Sequence, residues 1–312
     1  MRNPSEPDAE PSVDYVARVN LVLDHVLRHL DEPLRLEDLA RVAGFSPFHF
    51  HRVFQALMGE PLGQFVRRVR LDRALQLMAL AADRGERPRL TDVALACGFA
   101  SSSDFSRAFK QRHGVPPSAF DITTWRQAHR GALEALAGDD RHRLARLPPG
   151  SNPDGFEVEL VDLPARTVAY IRVLDPYRGD GVSGAVRRLE AWAEARGLAD
   201  GPWLGYQWEN PEVVALEDCR YDIAVVVPGD RDLQPEGEVG RFEFPPMRVA
   251  QVALSGGVEL ELRALDWLYG TWLPASGYVP DDLPGFEAFV GRPFAHGTGH
   301  FELAAQLPVR PA

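Results

Sequence analysis

A chain of 312 residues exceeds what one hydrophobic core usually serves, so two domains are expected. The net charge of −11 is uneven: residues 1–150 sum to +2 and residues 151–312 to −13, which excludes a uniformly basic nucleic-acid binder but allows one nearly neutral binding half tied to an acidic partner. The two cysteines, Cys97 and Cys219, have no ligand-spaced Cys or His partner, which excludes a zinc site and reads as reduced structural thiols. No apolar run approaches the roughly 18 residues of a membrane span, and no glycine-rich phosphate loop occurs.

In chain order, residues 1–13 form a polar, proline-bearing tail without a signal-peptide core. A short amphipathic helix follows with Leu36, Leu39, Ala40 and Ala43 on one face, and Gly44 ends it. Ser46 then caps a second helix that has Pro47 at its first position and Phe50, Val53, Phe54 and Leu57 on its apolar face. A long helix, Leu62–Leu80, comes next, and then the short pair returns. Asp38–Phe45 reappears as Asp92–Phe99, and Phe50, Arg52, Phe54, Gly59, Pro61 and Phe65 reappear as Phe105, Arg107, Phe109, Gly114, Pro116 and Phe120. The second copy gains one residue near Ala100-Ser101, inside a turn. Two short helices joined by a glycine turn are a helix-turn-helix; the alternative is a helical bundle in which the glycines only stop helices.

This double unit, its joining helix and the closing Gly114-Val115-Pro116-Pro117-Ser118-Ala119-Phe120 resemble the AraC/XylS-type DNA-binding domain. The resemblance implies that the two recognition helices enter successive major grooves of double-stranded DNA, about 34 Å apart, and read a bipartite, asymmetric site as a monomer. It carries base contact to Phe48, His51 and Arg52 on the first helix and to Ser102, Ser103, Ser106 and Arg107 on the second. Arg52 has the donors for guanine O6 and N7, whereas Phe48 offers apolar contact to a thymine methyl. For Arg52 and Arg107 the alternative is pairing with a carboxylate or a phosphate, which positions without reading sequence. Arg67, Arg68, Arg70 and Arg73 cluster on the joining helix, either as a phosphate-facing stripe or as an ordinary solvated face.

The expected domains are therefore 14–125 for DNA binding, 126–154 as linker, and 155–310 as an α+β unit that looks duplicated. Strand 168–173 with a helix through Leu189–Trp192, and strands 203–208 and 221–227, find an echo in strand 249–254, a helix through Leu265–Trp267, and strands 285–290 and 301–309. The order strand, helix, strand, strand, repeated, predicts helices along one side and a sheet curving around a cleft. The fold class is thus multidomain: an all-α double helix-turn-helix followed by a duplicated α+β unit.

Asp175-Pro176-Tyr177, Gly205-Tyr206, Arg220-Tyr221-Asp222, Trp272-Leu273-Pro274-Ala275-Ser276-Gly277-Tyr278 and Phe286-Glu287-Ala288-Phe289 resemble the GyrI-like (Rob-type) effector-binding domain. Val173 and Asp175 stand where that family usually has His and Gly. The resemblance implies a pocket with Glu287 at its floor and Tyr177, Trp203, Tyr206, Trp208, Trp272, Tyr278 and Phe289 as candidate walls. A partly buried carboxylate lined by aromatic faces suits a lipophilic cation. The resemblance further implies a ligand-responsive, cytoplasmic transcription regulator that works with RNA polymerase. No metal, cofactor or membrane partner is expected, and no catalytic residue is assigned. The alternatives are a GyrI-like hydrolase of reactive small molecules using Glu287, and a regulator that binds a basic protein without a ligand.

Overall fold

The structure, a computed structural model, describes residues 14–136, 148, 150–229, 231, 233–295 and 299–312. The expected tail and the middle of the expected linker lie outside these residues.

The helical half begins with α1 (Tyr15–Arg28) and runs through α2 (Leu36–Val42), α3 (Pro47–Met58), α4 (Leu62–Asp83), α5 (Leu90–Ala96) and α6 (Ser102–His113). The repeat is reproduced bond for bond. Both turns put glycine at positive φ, Gly44 at 68° and Gly98 at 74°. Both also close with the same pair of backbone bonds: Phe45 to Ala40 and Phe99 to Ala94, each 2.9 Å. Ser46 and Ser101 accept from the backbone of His49 and Asp104 as N-caps, while Gly59 and Gly114 end α3 and α6 in the left-handed conformation. Phe50, Phe54, Phe105 and Phe109 are fully buried in two separate cores, as their helical spacing requires. Gly98 has a second reason to be glycine: a Cβ there would overlap the Leu30 carbonyl oxygen. Arg70 bonds the same Leu30 carbonyl at 3.0 Å and so fastens the second turn to the first unit.

A seventh helix, α7 (Ile122–Leu136), crosses the expected boundary at 125, so residues 126–136 are helix and not linker. The reason lies in Arg126 and Arg130, which find carboxylates on the second domain and hold the helix against it.

The second half contains β1 (Glu159–Leu163), β2 (Arg166–Leu174), α8 (Gly181–Glu194), β3 (Trp203–Gln207), β4 (Arg220–Val227), β5 (Val239–Phe244), β6 (Met247–Gly256), α9 (Val258–Trp267), α10 (Leu273–Ser276), β7 (Tyr278–Pro280), β8 (Gly285–Phe289) and β9 (Phe301–Pro311). One antiparallel sheet runs β1-β6-β9-β8-β3-β4-β2-β5, with β7 attached to β9. The two copies are β2-α8-β3-β4 and β6-α9-β8-β9, and they meet where β3 pairs with β8. β1, β5 and β7 lie outside the duplicated pattern.

The links Pro164-Ala165 and Pro245-Pro246 are two residues long, yet each joins strands that five others separate in the sheet. Two residues span roughly 10 Å, about a third of the width such strands occupy when flat. The sheet therefore rolls up. Side chains of strands from both edges, including Val161, Leu163, Val168, Phe242, Phe244 and Val249, meet on the inside in one aromatic-rich cluster. The outside carries one cluster under α8, one under α9 and a smaller third around Ala250, Leu307 and Val309. Both helices share one side, as expected, but the curvature encloses the aromatic core on the side away from them.

Candidate ligand cleft and nucleic-acid interface

Strand alternation decides which residues meet at the centre of the sheet. Trp203, Gly205 and Gln207 of β3 share the outer face with Tyr221, Glu287, Phe289 and Ala305, while Leu204, Tyr206 and Trp208 point inward. Glu287 stands opposite Gly205, and the Tyr221 hydroxyl donates to its Oε2 at 2.6 Å. A Cβ on residue 205 would fall onto that hydroxyl and within 2.6 Å of Oε2. The glycine thus leaves the space in which carboxylate and phenol meet. Burial raises the Glu287 carboxyl above its usual range, against the pull of the Tyr221 hydrogen bond.

The expected pocket residues divide. Phe289 lies between the α8 and α9 clusters on the same face as Glu287. Tyr177 reaches this face through its hydroxyl, which bonds Gln207 Oε1 at 3.2 Å, and it packs on the cluster in which Val213, Val214 and Cys219 meet the core of the second helix-turn-helix. Tyr206 and Trp208 are corrections: they belong to the inner cluster with Phe244, on the opposite face from Glu287. Trp203 faces outward but is fully buried beneath α8, its indole donating to the Ala199 carbonyl at 2.8 Å, so it forms core and not wall. Trp272 stacks on Tyr278 at 6.2 Å, packed with Ala250, Leu307 and Val309 toward the far end of the outer face. Asp175 stands at φ 50°, a left-handed conformation that Asp tolerates better than most residues.

The inner face carries the junction with the helical domain. Arg172 of β2 bonds Asp222 of β4 at 2.8 and 2.6 Å and Asp24 of α1 at 2.9 Å, and Tyr170 donates to Asp24 at 2.7 Å. Asp24 and Asp222 are 1% and 0% exposed, so these charges are offset by Arg172 and by hydrogen bonds from Tyr170 to Asp24 and from the Trp208 indole to Asp222. Around the edge, Trp125 donates to the Val213 carbonyl at 2.8 Å, and Arg112 at the end of α6 bonds Asp218 at 2.7 Å. Arg130 of α7 bonds Asp266 of α9 at 2.9 Å. Among the described residues no group of His, Cys, Asp and Glu is placed to hold a metal ion.

Most of the expected base-reading residues are open to solvent. Phe48 is 75% exposed, and His51, Arg52, Ser103 and Arg107 are also open to solvent, with Ser102 and Ser106 half-buried. The Arg52 guanidinium lies 5.9 Å from the Phe48 ring, and Arg107 approaches Asp104 at 3.8 Å. The arginines of the joining helix mostly face elsewhere. Arg68 pairs with Glu60 at 2.6 Å and with Asp218, Arg70 bonds backbone carbonyls, and Arg73 pairs with Asp282. They hold the fold together and do not form a phosphate stripe.

These features define a double helix-turn-helix module docked on a rolled, duplicated sheet that bears a half-buried carboxyl, Glu287, on its outer face. Residues 156–310 match the family model of the GyrI-like small molecule binding domain, and residues 39–121 match a helix-turn-helix domain. The DNA gyrase inhibitor of Edwardsiella piscicida is 30% identical over 163 residues, 50% of this chain and 99% of that protein. The right origin-binding protein of Escherichia coli (strain K12) is 37% identical over 92 residues, 30% of each chain. The probable transcriptional regulator LumQ of Photobacterium leiognathi is 36% identical over 109 residues, 34% of this chain and 42% of that one. The chain belongs to the GyrI-like family and carries an AraC-type helix-turn-helix domain ahead of it. Its match spans less than half the length of the latter two proteins. No helix among the described residues is long and apolar enough to cross a membrane.

Proposed function

We propose that this chain is a cytoplasmic transcription regulator. It reads a bipartite DNA site through α3 and α6, holds a small organic cation in the cleft between α8 and α9, and passes the result to RNA polymerase. The observation that carries the sensing part is the two-sidedness of β4: Tyr221 faces the cleft carboxylate, and Asp222 faces the charge network that fastens α1 to the sheet. Tyr177 supports it from the rim, because its hydroxyl bonds the cleft-side Gln207 while its side chain packs on the cluster that joins Val213, Val214 and Cys219 to the core of the second DNA-reading unit. A ligand shifts the arrangement of the domains only by binding one arrangement more tightly than another. Displacing Tyr221 or Tyr177 supplies such a difference.

The test is selection from a random duplex library by the full chain at one stated salt concentration, with and without an organic cation. A two-part motif whose occupancy the cation changes supports the reading, and Glu287→Gln abolishes the cation's effect while leaving the motif. An absent motif overturns it. A second reading draws on the same raised Glu287 carboxyl beside Tyr221, which is suited to act as a general base on a reactive electrophile. Hydrolytic turnover lost in Glu287→Gln, without any DNA motif, would favour that one.

A further inference from the structure

A second carboxylate overhangs the cleft, and neither the family match nor the sequence motifs single it out. Glu261 lies on α9 one turn before Ala264, and Glu261, Ala264 and Leu268 fall on one stripe of which Ala264 and Leu268 are fully buried. Ala264 packs with Ala305, and Ala305 is the cross-strand partner of Glu287. The register of helix on sheet therefore turns Glu261 toward the Gly205–Glu287 centre. An acidic residue on the buried stripe of a helix is costly unless something compensates it.

Nothing among the described residues does so. Tyr221 supplies one donor to Oε2 of Glu287, whereas Oε1 of Glu287 and both oxygens of Glu261 have no donor among the described residues. No Lys or Arg of those residues pairs with either carboxylate, although the chain pairs most of its other part-buried acids with arginine. Burial, and then the neighbouring Glu287, hold the Glu261 carboxyl well above its ordinary range. Within the described residues the two carboxyls thus share one donor and no cation, and their three remaining oxygens stay open to solvent.

Resting on the reading of this cleft as a ligand site, we propose that Glu261 and Glu287 act as a pair that selects organic cations bearing two N–H-rich nitrogen centres, such as compact diamines. A quaternary cation brings charge but no donors, so the carboxylate lone pairs stay unsatisfied at a cost that a primary ammonium avoids. A single ammonium satisfies one carboxylate and leaves the other neutral and idle.

The experiment is calorimetric titration of the full chain with three probes that share one aromatic ring: p-xylylenediamine, benzylamine and benzyltrimethylammonium. The diamine is expected to bind at least about tenfold more tightly than either monocation. Glu261→Gln is expected to remove that advantage while leaving the two monocations within about twofold, whereas Glu287→Gln weakens all three. Both variants relieve a repulsion and should melt no lower than the parent, which separates lost binding from lost fold. Equal affinity for the diamine and the quaternary probe overturns the pairing of the carboxylates but leaves the cleft standing as a cation site. An equal effect of Glu261→Gln on all three probes, or no effect on any, overturns it in the same way. Failure of every probe to bind the parent chain overturns the cleft reading itself, and the pairing with it.

Discussion

Tyr221 and Asp222 are consecutive on β4 and turn to opposite faces of the sheet, one bonding Glu287 in the cleft and the other bonding Arg172 at the domain junction. The effector side and the DNA-binding side are thus a single strand apart. α9 repeats the relation on a larger scale, with Glu261 over the cleft and Asp266 held by Arg130 of α7.

Arg172→Met leaves Asp24 and Asp222 buried together without a cation. Removing one partner of such a network costs about 3–5 kcal/mol, read by urea denaturation. Adding Asp24→Asn and Asp222→Asn to the same variant removes the stranded charges and should recover most of the loss. A loss under about 1 kcal/mol for Arg172→Met alone would show that the network does not hold the domains together.

Gly205→Ala forces the Tyr221 hydroxyl away from Glu287, because the new Cβ takes the place of that oxygen. The expected loss is about 1–3 kcal/mol for a charge-assisted bond. Tyr221→Phe should cost a similar amount, and the double variant little more than either. Additive losses in thermal denaturation would mean that the glycine serves some other contact.

His113 packs against Phe109 at 4.4 Å and against Phe120 and Trp125, and neither ring nitrogen has a hydrogen-bond partner among the described residues. Burial, with Arg112 and His129 nearby, lowers its pKa from 6.5 to about 4. As pH falls, the unfolded chain takes up this proton before the folded one does. The stability present above pH 6.5 is therefore lost progressively toward pH 4. His113→Leu should flatten the melting temperature between those two values, and an unchanged slope would remove His113 from the acid response.

Arg52→Ala should cost about 1–3 kcal/mol at one base of the selected DNA motif and relax the choice there, with the other positions unchanged. Uniform weakening across sequences would assign Arg52 to a phosphate instead. Lys110, exposed on α6, is the chain's single lysine, so protection of its ammonium from an amine-reactive probe reports directly on whether α6 sits in DNA.

The helical half was legible because its signals are local. Ser46, Gly44 and the i, i+3, i+4 spacing of phenylalanines act within one or two turns, and the second copy repeats them. The cleft was half legible. Glu287 and Phe289 follow from the strand motif, but Tyr206 and Trp208 suit a pocket by ring chemistry alone, and strand parity sends them to the other face. Reading β3 with period two from Gly205 would have excluded both. Glu261 had a readable signal, an acidic residue on an otherwise apolar helical stripe. The Asp24–Arg172–Asp222 network had none, because its members are about 150 and 50 residues apart and each looks like an ordinary surface charge. β1 and β5 escaped for a related reason, since they pair across the duplication and not within it.

That crossed pairing sets where the second domain can be divided. β1 is continuous in sequence with the first copy and lies on a strand of the second, while β5 precedes the second copy and lies on a strand of the first. A polypeptide cut between Val227 and Val239 yields two fragments that each carry the other's missing border. Neither can close its own edge, and together they have every strand they need. The duplication, though visible as two copies, is inherited and folded as one indivisible object.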